Sequence, residues 1–297
     1  MASSAIAKNS KNQVAQVEVE WDKIESVSKA LSTIPQDSGE LIVKPFGEID
    51  SITLAVALSL TQGAGGSVTA IAINGIKDFQ IKDRGNDNIM KIAGARLNHL
   101  YHLLTGLTLP VTGTNINASS SGTDTMKFTL PVAIEMPDQP IRIAYEIDTL
   151  TNAGNANSTS GSVTIDTYIH YGHTVADKTI RFKEGQTASL GTGEKDIARD
   201  LLKEGTITQI ALFFPTVTNI AQLYVIFKPD GEITVFDHID EEALQAMEVL
   251  RYPVSGHSVT GLYPLFHKPF TWQEDKTELT VNIADAQEVR VYQFYQK

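Results

Sequence analysis

Ile52-Thr53-Leu54-Ala55-Val56-Ala57-Leu58-Ser59-Leu60 is the longest apolar run in the chain, and Gln62-Gly63-Ala64-Gly65-Gly66 breaks it almost at once. It carries two hydroxyls and has about half the length that a bilayer-spanning helix needs. A short apolar run bounded by glycines reads as a β-strand entering a loop.

Working outward, the same signal recurs. Residues 40–46 precede it as a strand, and residues 68–73 follow it. Asn74-Gly75 is a tight-turn pair, because both residues tolerate positive φ, and Ile76, Phe79 and Ile81 mark the next strand. A helix is expected over 87–104, capped by Asp87, with Ile89, Ile92, Ala93, Leu97 and Leu100 on one face and Gly106 ending it. The polar stretch 112–125 reads as a loop, and strands resume at 126–136, 141–147 and 163–171.

The second half runs in the same order. Strands are expected at 179–183, 206–214 and 223–227, then a turn at Pro229-Asp230-Gly231 and a strand at 233–236. Asp240-Glu241-Glu242 places acids at the positive end of a helix whose apolar face is Ala243, Leu244, Met247 and Leu250, closed by Arg251 and Pro253. Strands at 262–272, 278–283 and 289–295 complete the chain. Ile52-Thr53 matches Ile207-Thr208, and Gly75 matches Gly231, at a spacing of roughly 155 residues, the mark of an internal duplication. Phe128-Thr129-Leu130-Pro131 faces Phe266-His267-Lys268-Pro269, and Ile143, Tyr145 and Ile147 face Leu279, Val281 and Ile283. The expected fold is all-β: two tandem eight-stranded jelly rolls, each with a short helix. The expected divisions are an N-terminal arm over 1–38, a first barrel over 39–172 and a second over 173–297.

Composition narrows the function. The 297 residues carry a net charge of -11, which disfavours direct contact with nucleic acid, and Lys8 and Lys11 are the main local basic feature. With no cysteine, neither a disulfide nor a thiolate metal site can form. Residues 1–11 lack a signal-peptide core, so a soluble protein made in the cytoplasm is expected.

Enzyme signatures are weak. The seven histidines are His99, His102, His170, His173, His238, His257 and His267, and none forms the His-x-His pair of a bicupin. His99-x-x-His102 and His170-x-x-His173 read as surface or half-buried residues before they read as metal ligands. Glu48-Ile49-Asp50 and Glu146-Ile147-Asp148 lack the further downstream acid that a β-sandwich glycosidase needs, and read as solvent-facing acids at strand ends. The glycines at 63–66 lack the Lys-Ser/Thr of a phosphate loop, and no Gly-x-Ser-x-Gly elbow occurs. The acids at 83–87 and 237–242 read as helix caps and not as calcium ligands. Trp21 and Trp272 are too few and too separated for a sugar-binding platform. The aromatic-rich strand 289–295 is expected inside the molecule or at a subunit contact. No catalytic, cofactor-binding or metal-binding residue is therefore assigned.

Taken together, the strand order, the two turns and the helices at 87–104 and 240–251 resemble the double jelly-roll major capsid proteins of the PRD1–adenovirus lineage. The resemblance is greatest to the compact coat proteins of membrane-containing phages such as PM2 and FLiP. It covers about residues 40–295 and implies a structural protein of the virion, without enzymatic activity or cofactor. It also implies homotrimers with a pseudo-hexagonal outline that tile an icosahedral shell around an internal membrane, beside penton or minor capsid proteins. Residues 14–31 of the arm would then form a clamp or helix reaching a neighbour or that membrane. The rival readings are a carbohydrate-binding or adhesin-like pair of β-sandwiches and a bicupin-type enzyme.

Overall fold

The computed structural model describes residues 21–44, 47–83, 85–135, 140–172, 179–187, 189–216, 224–229, 234–253 and 259–297. The first unit comprises β1 (Trp21–Ala30), β2 (Gln36–Val43), β3 (Glu48–Gln62), β4 (Val68–Ala70), β5 (Ile76–Lys82), β6 (Asn88–Ala93) and α1 (Leu97–Thr105). It continues with β7 (Thr114–Ile116), β8 (Ser121–Ile134), β9 (Ile141–Ile147), α2 (Leu150–Ala153) and β10 (Ser158–Gly172). Eight of these strands form two antiparallel sheets, ordered β1-β10-β3-β8 and β2-β9-β5-β6, while β4 pairs with β7.

The apolar run 52–60 is the centre of β3. Ile52, Leu54, Val56, Leu58 and Leu60 are at most 1% exposed, and Ala55, Ala57 and Ser59 alternate with them on the outer face. A period of two on a half-buried sheet accounts for that pattern. β9 does the same from the opposing sheet with Ile141, Ile143, Tyr145 and Ile147.

The second unit comprises β11 (Arg181–Gln186), β12 (Gly193–Asp196), β13 (Thr206–Phe213), β14 (Tyr224–Lys228) and β15 (Phe236–Asp240). Then come α3 (Glu241–Arg251), β16 (Leu262–Leu265), β17 (Glu278–Ile283) and β18 (Arg290–Gln296). Its sheets are ordered β11-β18-β13-β16 and β12-β17-β14-β15, the first unit's order strand for strand. The correspondence of Ile52 with Ile207 holds, since β3 lies between β10 and β8 as β13 lies between β18 and β16, and Ile52 stands opposite Ile169 as Ile207 stands opposite Tyr295.

Several sequence expectations need correction. Residues 21–38 do not belong to an arm, nor do 21–30 form a helix, because β1 pairs with β10 along its length and β2 begins at Gln36. A bulge between Lys23 and Glu25 puts the inward Ile24 and Val27 three residues apart, which hides the strand period. Residues 1–20, with Lys8 and Lys11, lie outside the described residues. The helix expected over 87–104 is shorter: 88–93 is β6, whose Met90 and Ile92 pair with Ile81 and Phe79, and only 97–105 is α1. Asp87 caps no helix; its backbone N–H donates to the Asp83 carboxylate in the β5–β6 turn.

Asn74-Gly75 closes a 3₁₀ turn that leads into β5, whereas Pro229 follows β14, so the two turns are not counterparts. Residues 230–233 are outside the described set. The polar stretch 112–125 expected as a loop holds β7 and the start of β8. Of the strand expected over 262–272, only 262–265 forms one. α3 begins as expected, with the Asp240 carboxylate accepting from Ala243 N–H at 2.9 Å. Its expected apolar face is incomplete: Leu244 is buried, but Leu250 is 83% exposed.

Candidate functional site

The most elaborate constellation in the molecule is the seam where the units meet. α1 places Leu97, Leu100 and Leu103 in the first core. Its C-cap, Gly106, has φ +73, and its N–H donates to the His102 carbonyl, which ends the helix in the left-handed conformation. A side chain there would also run into the Tyr252 ring. The other side of α1 carries His99 and His102 to the second unit.

There the partner surface is the outer face of β11-β18-β13-β16. β18 sends Val291 into the second core while Tyr292 and Phe294 join the first, together with Phe182 and Ala211. A strand buried on both faces cannot alternate apolar with polar, and this explains its aromatic density. The His99 ring lies 4.3 Å from the Phe213 ring and 5.8 Å from that of Tyr292. Phe182 stacks on Tyr292 at 5.8 Å and meets Phe294 at 5.1 Å.

Several polar groups of the seam pair across it. His99 Nδ1 and Tyr292 Oη share a hydrogen bond at 2.8 Å. Burial first, and then the charges of Arg96, Arg290 and His102, lower the His99 pKa to about 4. Burial above all, with Glu184 adding to it, pushes the Tyr292 phenol well up. Both groups are therefore neutral near pH 7, the condition under which a buried hydrogen bond costs little desolvation. His102 Nε2 meets Glu248 Oε1 of α3 at 2.6 Å, and both side chains are fully buried. Tyr252 Oη donates to the Leu103 carbonyl at 3.2 Å. At the rim, the Glu184 carboxylate bridges Arg96 of the first unit and Arg290, the latter at 3.2 Å. Arg181 meets Asp83 at 2.7 Å.

Other residues singled out from sequence lie elsewhere. His170 is on β10, 4.0 Å from Asp50; His238 meets Asp237; His267 packs on Phe227 and Phe270. His173 and His257 lie outside the described residues. Ile49 and Ile147 are buried while Asp50 and Glu146 remain partly exposed, and Glu146 pairs with Lys77 at 2.6 Å. Residues 63–66 form a loop after β3, held where the Gln62 amide donates to the Gly65 carbonyl at 3.0 Å. Among the described residues, no group of three His, Asp or Glu is placed to hold a metal ion, and no helix is long and apolar enough to cross a membrane. The seam was missed by sequence reasoning, although the aromatic run of β18 and the His99-x-x-His102 pair were its visible ends.

No family model and no curated relative matches this chain. Solved structures do. The STIV MCP shares 15% identity, covers 92% of this chain and 97% of its own, and superposes with a TM-score of 0.65. A chain in the structure of Sulfolobus Turreted Icosahedral Virus gives 15% identity, 93% and 91% coverage and 0.63. The major capsid protein P2 from bacteriophage PM2 gives 11% identity, 90% and 96% coverage and 0.54. The fold is a double jelly roll. Coverage of nine-tenths or more on both sides means that the likeness spans both jelly rolls.

Proposed function

We propose that this double jelly-roll chain is the major capsid protein of an icosahedral virus. The observation that carries the reading is the repetition of one eight-stranded order in two units joined by a shared aromatic and hydrogen-bonded seam. Two similar units per chain let three copies place six similar barrels around one axis, an outline that tiles a hexagonal lattice. The structures it resembles, described as the STIV MCP and the major capsid protein of bacteriophage PM2, support the same role. The protein acts structurally and its main partner is itself, as a homotrimer and between neighbouring trimers. Its place is the virion of a bacteriophage-type particle, after synthesis in the host cytoplasm. Penton or minor capsid proteins adjoin it, an internal membrane lies beneath the shell, and the acidic net charge keeps it off nucleic acid.

Light scattering with negative-stain imaging tests this. A stable species of about 97 kDa, three copies of the 32.4 kDa chain, with a hexagonal outline is expected. A compact monomer that binds sugars or a metal would overturn the reading in favour of the sandwich or bicupin alternatives.

A further inference from the structure

Where the two barrels meet, one hollow is not filled by either. Ile180, just before β11, donates its backbone N–H to the Ala133 carbonyl of β8 at 3.1 Å. With Leu104 of α1 and Phe294 of β18 it walls two adjoining hollows of about 510 and 330 Å³. Both volumes lie in the range of small-molecule sites. The larger hollow extends to Leu265, Phe266 and Arg251 of the second unit, the smaller to Met90, Pro131 and Val132 of the first. Their three common walls make them one trough along the seam.

The trough offers carbon. Leu103, Leu265 and Phe294 along it are at most 4% exposed. Its hydroxyls are spent on the backbone: Thr208 donates to the Phe294 carbonyl at 3.1 Å, and Tyr252 to the Leu103 carbonyl at 3.2 Å. A lining whose donors are already used suits an apolar guest. Ile180 remains 36% exposed, so the folded chain leaves the trough open to solvent.

The two ends differ in charge. Arg251, the last residue of α3, stands at the second-barrel end with its guanidinium 5.9 Å from the Phe266 ring, and among the described residues it forms no ion pair. Asp50 stands at the first-barrel end, 4.0 Å from His170. In a chain of net charge -11, an unpaired guanidinium beside an apolar trough selects an anion, and Asp50 turns that anion away from the other end. A guest with one anionic head and one apolar tail fits both ends in a single orientation.

We infer that the trough binds the single chain of a fatty acid, with its carboxylate on Arg251 and its tail under Ile180 towards Pro131. Such a ligand touches both barrels and binds only the folded chain, so it raises the stability of the seam. Nothing in the site depends on assembly into a shell, so the inference stands apart from the coat-protein reading.

Calorimetric titration of the full chain with sodium octanoate, decanoate and laurate tests it. One site per chain is expected, with affinity rising about fourfold for each added methylene. Arg251→Gln should weaken laurate about tenfold and leave 1-dodecanol binding unchanged. Ile180→Trp fills the trough and should abolish the binding of both. Arg251 and Ile180 are exposed, so both variants should keep the circular dichroism of the wild type. Failure of laurate to bind, or equal binding to wild type and both variants, overturns the inference. If laurate does not bind and Ile180→Trp loses its trimers in light scattering, the trough is a contact between copies; the inference falls and the coat reading stands. A monomer that binds laurate with the expected dependence on chain length and on Arg251 supports the inference and sinks the coat reading alone.

Discussion

His99 is held neutral in the seam, with its pKa lowered from 6.5 to about 4. Between those values the unfolded chain binds a proton that the folded chain refuses, so folding stability falls as pH falls from 6.5 towards 4. The loss is about 1.4 kcal/mol per unit, some ~3 kcal/mol in all. Thermal melts across that range should show it, and His99→Gln should flatten the slope; an unchanged slope would place the acid sensitivity elsewhere. The neighbouring buried pair makes a different prediction. Glu248→Ala removes the carboxyl that His102 Nε2 meets and should cost about 1–3 kcal/mol in denaturant unfolding. Replacing both His102 and Glu248 with leucine should recover most of that loss, because a packed apolar pair needs no desolvation of polar groups.

At the scale of the element, α1 depends on how it stops. Gly106 takes a left-handed φ of +73 and leaves room for the Tyr252 ring. Gly106→Ala meets both the strained φ and that ring, and should lower stability by about 1–3 kcal/mol. In a Tyr252→Ala background the same substitution should cost less, since only the backbone strain remains; equal costs in the two backgrounds would show that the ring gives way freely. β1 and β18 show opposite ways in which a strand departs from simple alternation. The bulge of β1 spaces its inward residues by three, and β18 is buried on both faces. α3 departs from its helical stripe because its barrel uses only Leu244, Met247 and the buried acids, leaving Leu250 outside.

Across the whole molecule, the seam makes the two barrels one cooperative body. The first core includes Phe182, Ala211, Leu262, Tyr292 and Phe294 from the second barrel, so separating the barrels would expose a large aromatic surface. Calorimetry should therefore show a single unfolding transition with matching calorimetric and van't Hoff enthalpies. Two resolved transitions would mean that the seam contributes little. A second barrel expressed alone, from residue 179 onward, should be insoluble for the same reason.

Strand identity and order were legible in the sequence, since they rest on local chemistry. The run 52–60, the strands at 141–147 and 278–283, the stop at Gly106 and the cap at Asp240 all follow from a period of two, a positive φ or a side-chain oxygen beside a free N–H. Two repeats of one order then pointed to paired jelly rolls. What only the tertiary structure decided depends on residues far apart in the chain. His102 and Glu248 are separated by 146 positions, and His99 and Tyr292 by 193. No local pattern distinguishes a histidine facing water from one facing a distant acid, nor the strand 88–93 from the first turns of a helix when Ile89 and Ile92 suit both. The partner across the fold makes that choice, because burial and hydrogen-bond satisfaction are properties of the assembled core and not of any single segment.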